Sequence, residues 1–176
     1  MSFAARDIRQ STPADLPGIE RLYVAAFPDE DLIPVVRELL NYGPDAMSLV
    51  GCEGSDVIGH IGLTMCTIAG CDERVALLAP LVVSPPLHKQ GIGTALVEAG
   101  FQRLKNADIG HVYVLGDPAY YSRFGFQVEN KITPPYPLPK EWLGAWQSVV
   151  LNGSERPDAG QFCIPKFWQH VELWTS

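Results

Sequence analysis

The chain has 176 residues, enough for one compact α/β or α+β domain with a proper core and too few for two ordinary ones. Apolar residues make up 47% and charged residues 19%, the mean hydropathy is +0.05, and no apolar run approaches a membrane span, so a non-membrane globular protein is expected. A net charge of −7 without a Lys/Arg stripe disfavours a nucleic-acid partner and suits a cationic substrate such as an amine.

The opening MSFAARDIRQ carries charges and no apolar signal core, so the cytoplasm is the expected compartment. A short strand through Ile8 leads to Ser11-Thr12-Pro13-Ala14-Asp15, which offers capping residues, and Leu16, Ile19, Leu22, Tyr23 and Phe27 follow at helical spacing. Pro34 suits a first helical turn, and Val35, Val36, Leu39 and Leu40 predict a second short helix ending before Gly43-Pro44.

Three runs then read as an antiparallel meander: Ser48 to Glu53, Val57 to Ile68 and Val75 to Val83, separated by Gly54-Ser55-Asp56 and Gly70-Cys71-Asp72. From Gly91 the period turns helical, with Ile92, Leu96, Gly100 and Leu104 on one face, until Asn106 and Gly110 end the run before a strand at His111 to Leu115. Pro134-Pro135-Tyr136-Pro137-Leu138-Pro139 predicts an irregular loop, and Gln147 to Leu151 and Gln161 to Ile164 are the last expected strands. Antiparallel hairpins plus one βαβ crossover indicate an α+β sheet with helices on its faces, in a single domain over residues 1–176. Cys52, Cys66, Cys71 and Cys163 show neither CxxC spacing nor a Cys/His cluster, so no metal site is expected and the thiols are read as reduced and mostly buried.

Chemistry is suggested first at the junction of the third long strand with the long helix, His88-Lys89-Gln90-Gly91-Ile92-Gly93-Thr94. Gly91 and Gly93 lack Cβ atoms, so backbone N–H groups can approach an anion, and a helix N-terminus adds unpaired donors and a favourable dipole. The same Gly-x-Gly can be no more than a tight turn into a helix. A P-loop would need Gly-Lys-Ser/Thr, and a dinucleotide fold would need a third glycine and repeated βαβ units. Pro80, inside an otherwise strand-like run, donates no hydrogen bond and predicts a broken ladder with nearby backbone groups free to bind something else.

His88 to Gly93 resembles the Arg/Gln-x-x-Gly-x-Gly/Ala turn of the GCN5-related N-acetyltransferase (GNAT) superfamily, with His88 where arginine or glutamine is usual. Gly116-Asp117-Pro118-Ala119-Tyr120-Tyr121-Ser122-Arg123-Phe124-Gly125-Phe126 resembles the family's Tyr-x-x-x-Gly-Phe segment. Together with the GHIGLT strand at Gly59 to Thr64 it is similar to the YhbS-like branch of predicted acetyltransferases. The resemblance implies an acyl-CoA N-acyltransferase fold, a mixed and mostly antiparallel sheet splayed between its fourth and fifth strands and flanked by helices. It implies acetyl-CoA as cofactor, with the backbone of Leu81, Val82 and Val83 pairing with pantetheine and His88, Lys89, Gln90, Gly91, Ile92, Gly93 and Thr94 holding the pyrophosphate.

By family position Tyr121 is the implied general acid, since a phenol near pKa 10 can protonate a thiolate near 8.5 with modest tuning; otherwise it packs with its hydroxyl on backbone. The oxyanion donor is then a main-chain N–H at Leu81 to Val83. No base stands out. Asp29, Glu30 and Asp31 read equally as solvated carboxylates, His60 and His111 as satisfied core histidines, and Asp117 as a helix cap, while a water relay needs no base. Trp142, Trp146, Phe162, Phe167, Trp168 and Trp174 are expected mostly in the core. The implied activity is transfer of acetyl to a primary amine of a small molecule or peptide, with a homodimer admissible; the alternative is an acyl-CoA-binding or sensing module without turnover.

Overall fold

The helical spacing after Asp15 becomes helix α1 (Leu16–Ala26), which buries Ile19, Leu22 and Tyr23, in a computed structural model that describes residues 7–153 and 155–175. The N-terminal stretch through Arg6, read for its lack of a signal core, lies outside the described residues. Asp15 sets the start of α1. Its carboxylate accepts two bonds from Arg9, at 2.7 and 2.8 Å, and one from the Thr12 N–H at 2.7 Å, and the Arg9 guanidinium pulls its pKa down to about 2. Helix α2 (Ile33–Leu40) carries Pro34 in its first turn and buries Val35, Val36 and Leu39.

The chain forms two compact units, residues 1–64 with 79–103 and residues 65–78 with 104–176. It passes between them within β3 (Asp56–Ile68), β4 (Val75–Val83) and α3 (Ile92–Asn106). In the first unit β1 (Ile8–Gln10) pairs antiparallel with β2 (Ala46–Glu53), and β2 pairs antiparallel with β3 through Ser48↔Gly62 and Val50↔His60. The Ser84 N–H at the end of β4 reaches the Ile58 carbonyl of β3 at 2.8 Å. Two glycines of β3 admit helices at close range. A Cβ at Gly62 would lie 2.6 Å from Leu39 Cδ1, and one at Gly59 would lie 2.8 Å from Leu96 Cδ1. The GHIGLT strand is thus shaped by what packs on it.

Between those glycines stands His60, fully buried. Its Nδ1 is 2.6 Å from the Tyr23 hydroxyl of α1 and its Nε2 is 2.8 Å from Ser48 Oγ of β2. Ser48 in turn is bonded at 2.7 Å to the hydroxyl of Ser11, just past β1. Burial pushes the His60 pKa down to about 3, so the ring is neutral, one nitrogen donating and the other accepting.

In the second unit β5 (His111–Leu115) pairs in parallel with β4 at Ala76↔Val112 and Leu77↔Tyr113, the expected βαβ crossover through α3. That register ends three residues before Pro80. Strand β8 (Trp146–Val150) runs antiparallel to β5 along its whole length, and β6 (Gln127–Val128) pairs with β8. Strand β9 (Gly160–Cys163) pairs with β7 (Ile132–Thr133) and with the end of β3. Tyr113, Trp146 and Phe162 meet with ring centroids 5.0 to 5.6 Å apart. Phe167, Trp168 and Trp174 are buried as well, so the aromatic set is core, with Trp142 half-exposed.

Several expectations are corrected. The long helix begins at Ile92, not Gly91, because Gly91 is its cap. Strands β6 and β7 and the short helix α5 (Glu172–Thr175) were not expected. Of the cysteines, Cys66 is buried, Cys52 and Cys71 are half-exposed and Cys163 is exposed, since it alternates along β9 with buried Phe162. Among the described residues no helix is long and apolar enough to cross a membrane.

The buried imidazole has a consequence for acid stability. In the unfolded chain His60 takes up a proton near its ordinary 6.5, whereas in the native state it stays neutral down to about 3. Unfolding therefore binds a proton within that window, and stability falls as pH drops through it, by about 1.4 kcal/mol per pH unit from this group. Urea unfolding at pH 6, 5 and 4 should show His60→Gln losing stability less steeply than the parent, by about 1 kcal/mol per unit; parallel pH dependences would show that His60 is not the responsible group.

Candidate active site

Strand β4 hands over to α3 through a 3-10 turn at Pro85–Leu87. Lys89 then adopts φ +65° and Gly91 φ +84°, both in the left-handed region. For lysine that conformation costs on the order of 1 kcal/mol and points to a functional loop. Alternating handedness turns successive N–H groups to one side, the geometry of an anion nest. The Gly91 carbonyl accepts from the Ala95 N–H at 3.0 Å, the first bond of α3, so the N–H groups of Ile92, Gly93 and Thr94 have no acceptor within the helix. A Cβ added at Gly91 would meet nothing within 4 Å. Glycine stands there for its backbone angle, with open space in front of it. An oligophosphate fits these donors, and the dipole of the 15-residue helix favours it.

The side chain of His88 is engaged within the protein. Its Nε2–H donates to the Val83 carbonyl at 2.9 Å, bracing the loop against the end of β4. Val83 thereby has its carbonyl engaged, and its neighbour Ser84 has its N–H on β3. Leu81 and Val83 are half-exposed and Val82 is buried. Lys89, Gln90 and Gly91 are exposed.

Tyr121 belongs to the second unit, at the end of α4 (Pro118–Tyr121). Asp117 caps this helix, its Oδ1 accepting from the Ala119 N–H at 2.9 Å, as the Asp-Pro pair predicts. The Tyr121 ring lies against Tyr120 at 5.1 Å, Phe126 at 5.6 Å and Phe124 at 6.3 Å. Burial pushes its pKa up, with Tyr120 adding to the effect. Among the described residues its hydroxyl has no hydrogen-bond partner, although the side chain keeps some exposure. It is not a tyrosine tied to backbone. Tyr120 is half-exposed beneath the Arg123 guanidinium, 4.4 Å from its ring centroid.

The base candidates divide. His60 is spent on Tyr23 and Ser48, and His111, also buried, donates from Nε2 to the Glu155 carbonyl at 3.0 Å; both are satisfied core histidines. Asp29, Glu30 and Asp31 are exposed between α1 and α2, and with Val24, Phe27 and Ile33 they line a cleft of about 310 Å³. Tyr23, which the sequence placed merely on a buried helix face, forms part of its wall. Three carboxylates over an apolar floor form a site suited to an organic cation.

The family model for the acetyltransferase (GNAT) family matches residues 16–126. The uncharacterized N-acetyltransferase YhbS of Escherichia coli strain K12 is 34% identical over 122 residues, which cover 69% of this chain and 73% of that protein. Among solved structures, Escherichia coli YhbS in complex with CoA superposes with a TM-score of 0.80 at 28% identity, covering 93% of this chain and 91% of that one. A GNAT family acetyltransferase from Brucella melitensis in complex with acetyl-CoA gives 0.76 at 26% identity, covering 92% and 97%.

The brace can be tested without any ligand. Removing one exposed hydrogen bond worth about 1 kcal/mol by His88→Ala should speed amide exchange from Leu87 to Gly91 several-fold, with the melting temperature unchanged within about 1 °C. Unaltered exchange in this loop would remove His88 as its fastening.

Proposed function

The chain belongs to the acetyltransferase (GNAT) family, and we propose that it is an acetyl-CoA-dependent N-acetyltransferase. It moves acetyl to a primary amine of a small molecule or peptide by direct attack on the thioester. The observation that carries this reading is the left-handed turn at Lys89 and Gly91 opening onto the unpaired N–H groups of α3. The CoA and acetyl-CoA bound in the two similar structures support the choice of phosphate-bearing ligand. Cationic amines also suit the net charge of −7 and the carboxylate-rimmed cleft at Asp29 to Asp31.

In this reading the N–H groups from Lys89 to Thr94 hold the pyrophosphate, and the open backbone groups of Leu81 to Val83 receive the pantetheine arm as an added strand. The Val83 carbonyl is the exception, since His88 already occupies it; His88 acts on the cofactor through the loop it braces. Acetyl-CoA supplies an acetyl group already activated as a thioester. The N–C bond forms, the C–S bond breaks, and the sulfur must acquire a proton while the nitrogen loses one.

Tyr121 suits that exchange by its protonation. Burial keeps the phenol protonated at any physiological pH, so its O–H is always available to the sulfur. The same burial opposes a lasting phenolate, because a phenol pushed above 10 is a weaker acid than a thiol near 8.5. The economical course is a concerted one: the Tyr121 hydroxyl gives its proton to the sulfur as it takes one from the nitrogen side, directly or through water. No separate base side chain is then required. The second reading, an acyl-CoA-binding module without turnover, draws support from the internal engagement of His60 and His111.

Two substitutions separate the roles. Gly91→Asp should weaken acetyl-CoA binding by at least about 100-fold in calorimetry with little change in melting temperature. Aspartate tolerates the left-handed angle, yet it sets a negative charge against the phosphates. Tyr121→Phe should lower turnover by roughly 10² to 10³-fold, with acetyl-CoA affinity within threefold, measured as acceptor-dependent release of free CoA over a panel of polyamines, amino acids and peptides. Unchanged affinity in the first variant would remove the cofactor assignment. Tight binding by the parent without acceptor-dependent release would leave the binding-module reading.

A further inference from the structure

We infer that Gly116 and Gln147 are positioning residues for acyl transfer, together forming the seat that aims the Tyr121 hydroxyl; this rests on the assignment of Tyr121 as the proton donor. Gly116 follows β5 directly, and its φ lies outside the left-handed region. Backbone conformation therefore does not demand glycine here. Space does. A Cβ at residue 116 would lie 2.4 Å from Cε2 and 2.9 Å from Cδ2 of Tyr121, well inside van der Waals contact. The bare Cα of Gly116 is the floor on which the ring rests, and Tyr120, Phe124 and Phe126 close its other sides.

The floor is itself fastened from β8. The Gly116 N–H donates to the Ala145 carbonyl at 2.9 Å. Gln147, at 1% exposure, donates from Nε2 to the Gly116 carbonyl at 3.0 Å and to the Ala145 carbonyl at 3.2 Å. Two carbonyls facing one nitrogen fix the orientation of that amide. Both peptide groups of the seat are thus held by one buried side chain whose strand also pairs with β5 through Val114↔Gln147. A buried amide spent on two backbone carbonyls beside a ring with an uncommitted hydroxyl does more than fill space. It determines where that hydroxyl points, because the ring has no hydrogen bond of its own to do so among the described residues.

The test is a pair of double-mutant cycles on kcat, with acetyl-CoA affinity and melting temperature measured alongside. Gly116→Ala pushes the ring by about 1 Å, and a misplacement of that size costs on the order of 10²-fold. We expect kcat to fall 10- to 100-fold in the Tyr121 enzyme and less than twofold in the Tyr121→Phe background, with acetyl-CoA Kd within twofold throughout. Gln147→Met keeps the length of the side chain and removes both donors; it should lower kcat about five- to tenfold with Tyr121 present and less than twofold without it. Equal losses in both backgrounds would make these residues structural and overturn the inference, as would full turnover in both Gly116→Ala and Gln147→Met. Should Gly116→Ala fail to fold, the Gln147→Met cycle decides alone. Undiminished turnover of Tyr121→Phe would instead strike the proton-donor assignment, and the seat with it.

Discussion

A neutral imidazole at zero exposure imposes the most demanding condition in the first unit. His60 can stay there only if both nitrogens are bonded and the ring never charges, because an unpaired buried nitrogen costs about 1 to 3 kcal/mol and a charged one more. The two partners that meet this condition come from different elements, Tyr23 on α1 and Ser48 on β2, and Ser11 extends the chain toward β1. Helix α1 thus has its rotation set by a polar contact as well as by the apolar stripe of Ile19 and Leu22. The end of α1 carries the loop from Pro28 to Asp31, so the placement of the acidic cleft follows from a histidine that takes no part in it.

Two physical strategies divide the chemistry. The proposed anion cradle is built from backbone: a lysine and a glycine in left-handed conformations, a helix start, and one histidine ring closing the turn onto β4. Its donors belong to the main chain, so substitutions reach them through the turn itself, at Gly91, whose angle it needs, and at His88, which fastens it. The proposed proton donor, Tyr121, is built the opposite way, from side chains in van der Waals contact, with Gly116 beneath the ring and three aromatic rings around it. Such packing is precise but vulnerable, since one methyl group at residue 116 displaces it.

How much of this could be read beforehand depended on range along the chain. Helices α1 and α2, the three strands of the meander and β5 were legible because their periodicity runs over five or more residues with Gly, Pro or Asp at the ends. Strands β6 and β7 have two residues each; they carry no period and exist because β8 and β9 present paired edges to them. The left-handed turn before α3 was visible as Gly91-x-Gly93, and Tyr121 as a motif position. The fastening of His88 to Val83 was not visible, because it is closed by the 3-10 turn at Pro85–Leu87, which no periodicity announces. Gln147 was further beyond reach: its 31-residue separation from Gly116 leaves no local trace, and in sequence it is one polar residue in a predicted strand.

Tyr121 and His60 show how burial assigns opposite duties to two titratable groups. Desolvation lowers the basicity of His60 until it is a fixed neutral strut, and the same force raises the Tyr121 pKa so that its proton stays in place. The difference lies in what each hydroxyl or nitrogen meets. Every polar atom of the His60 ring has an internal partner, so its proton has nowhere to go. The Tyr121 hydroxyl has none among the described residues, so a protonated donor, its ring seated on Gly116, is left open to a partner from outside the fold. A group held in its protonated form yet prevented from resting as an anion suits a step in which a proton leaves and returns in one event. Moving acetyl from sulfur to nitrogen, which frees a proton at one atom and consumes one at the other, is a reaction of that kind.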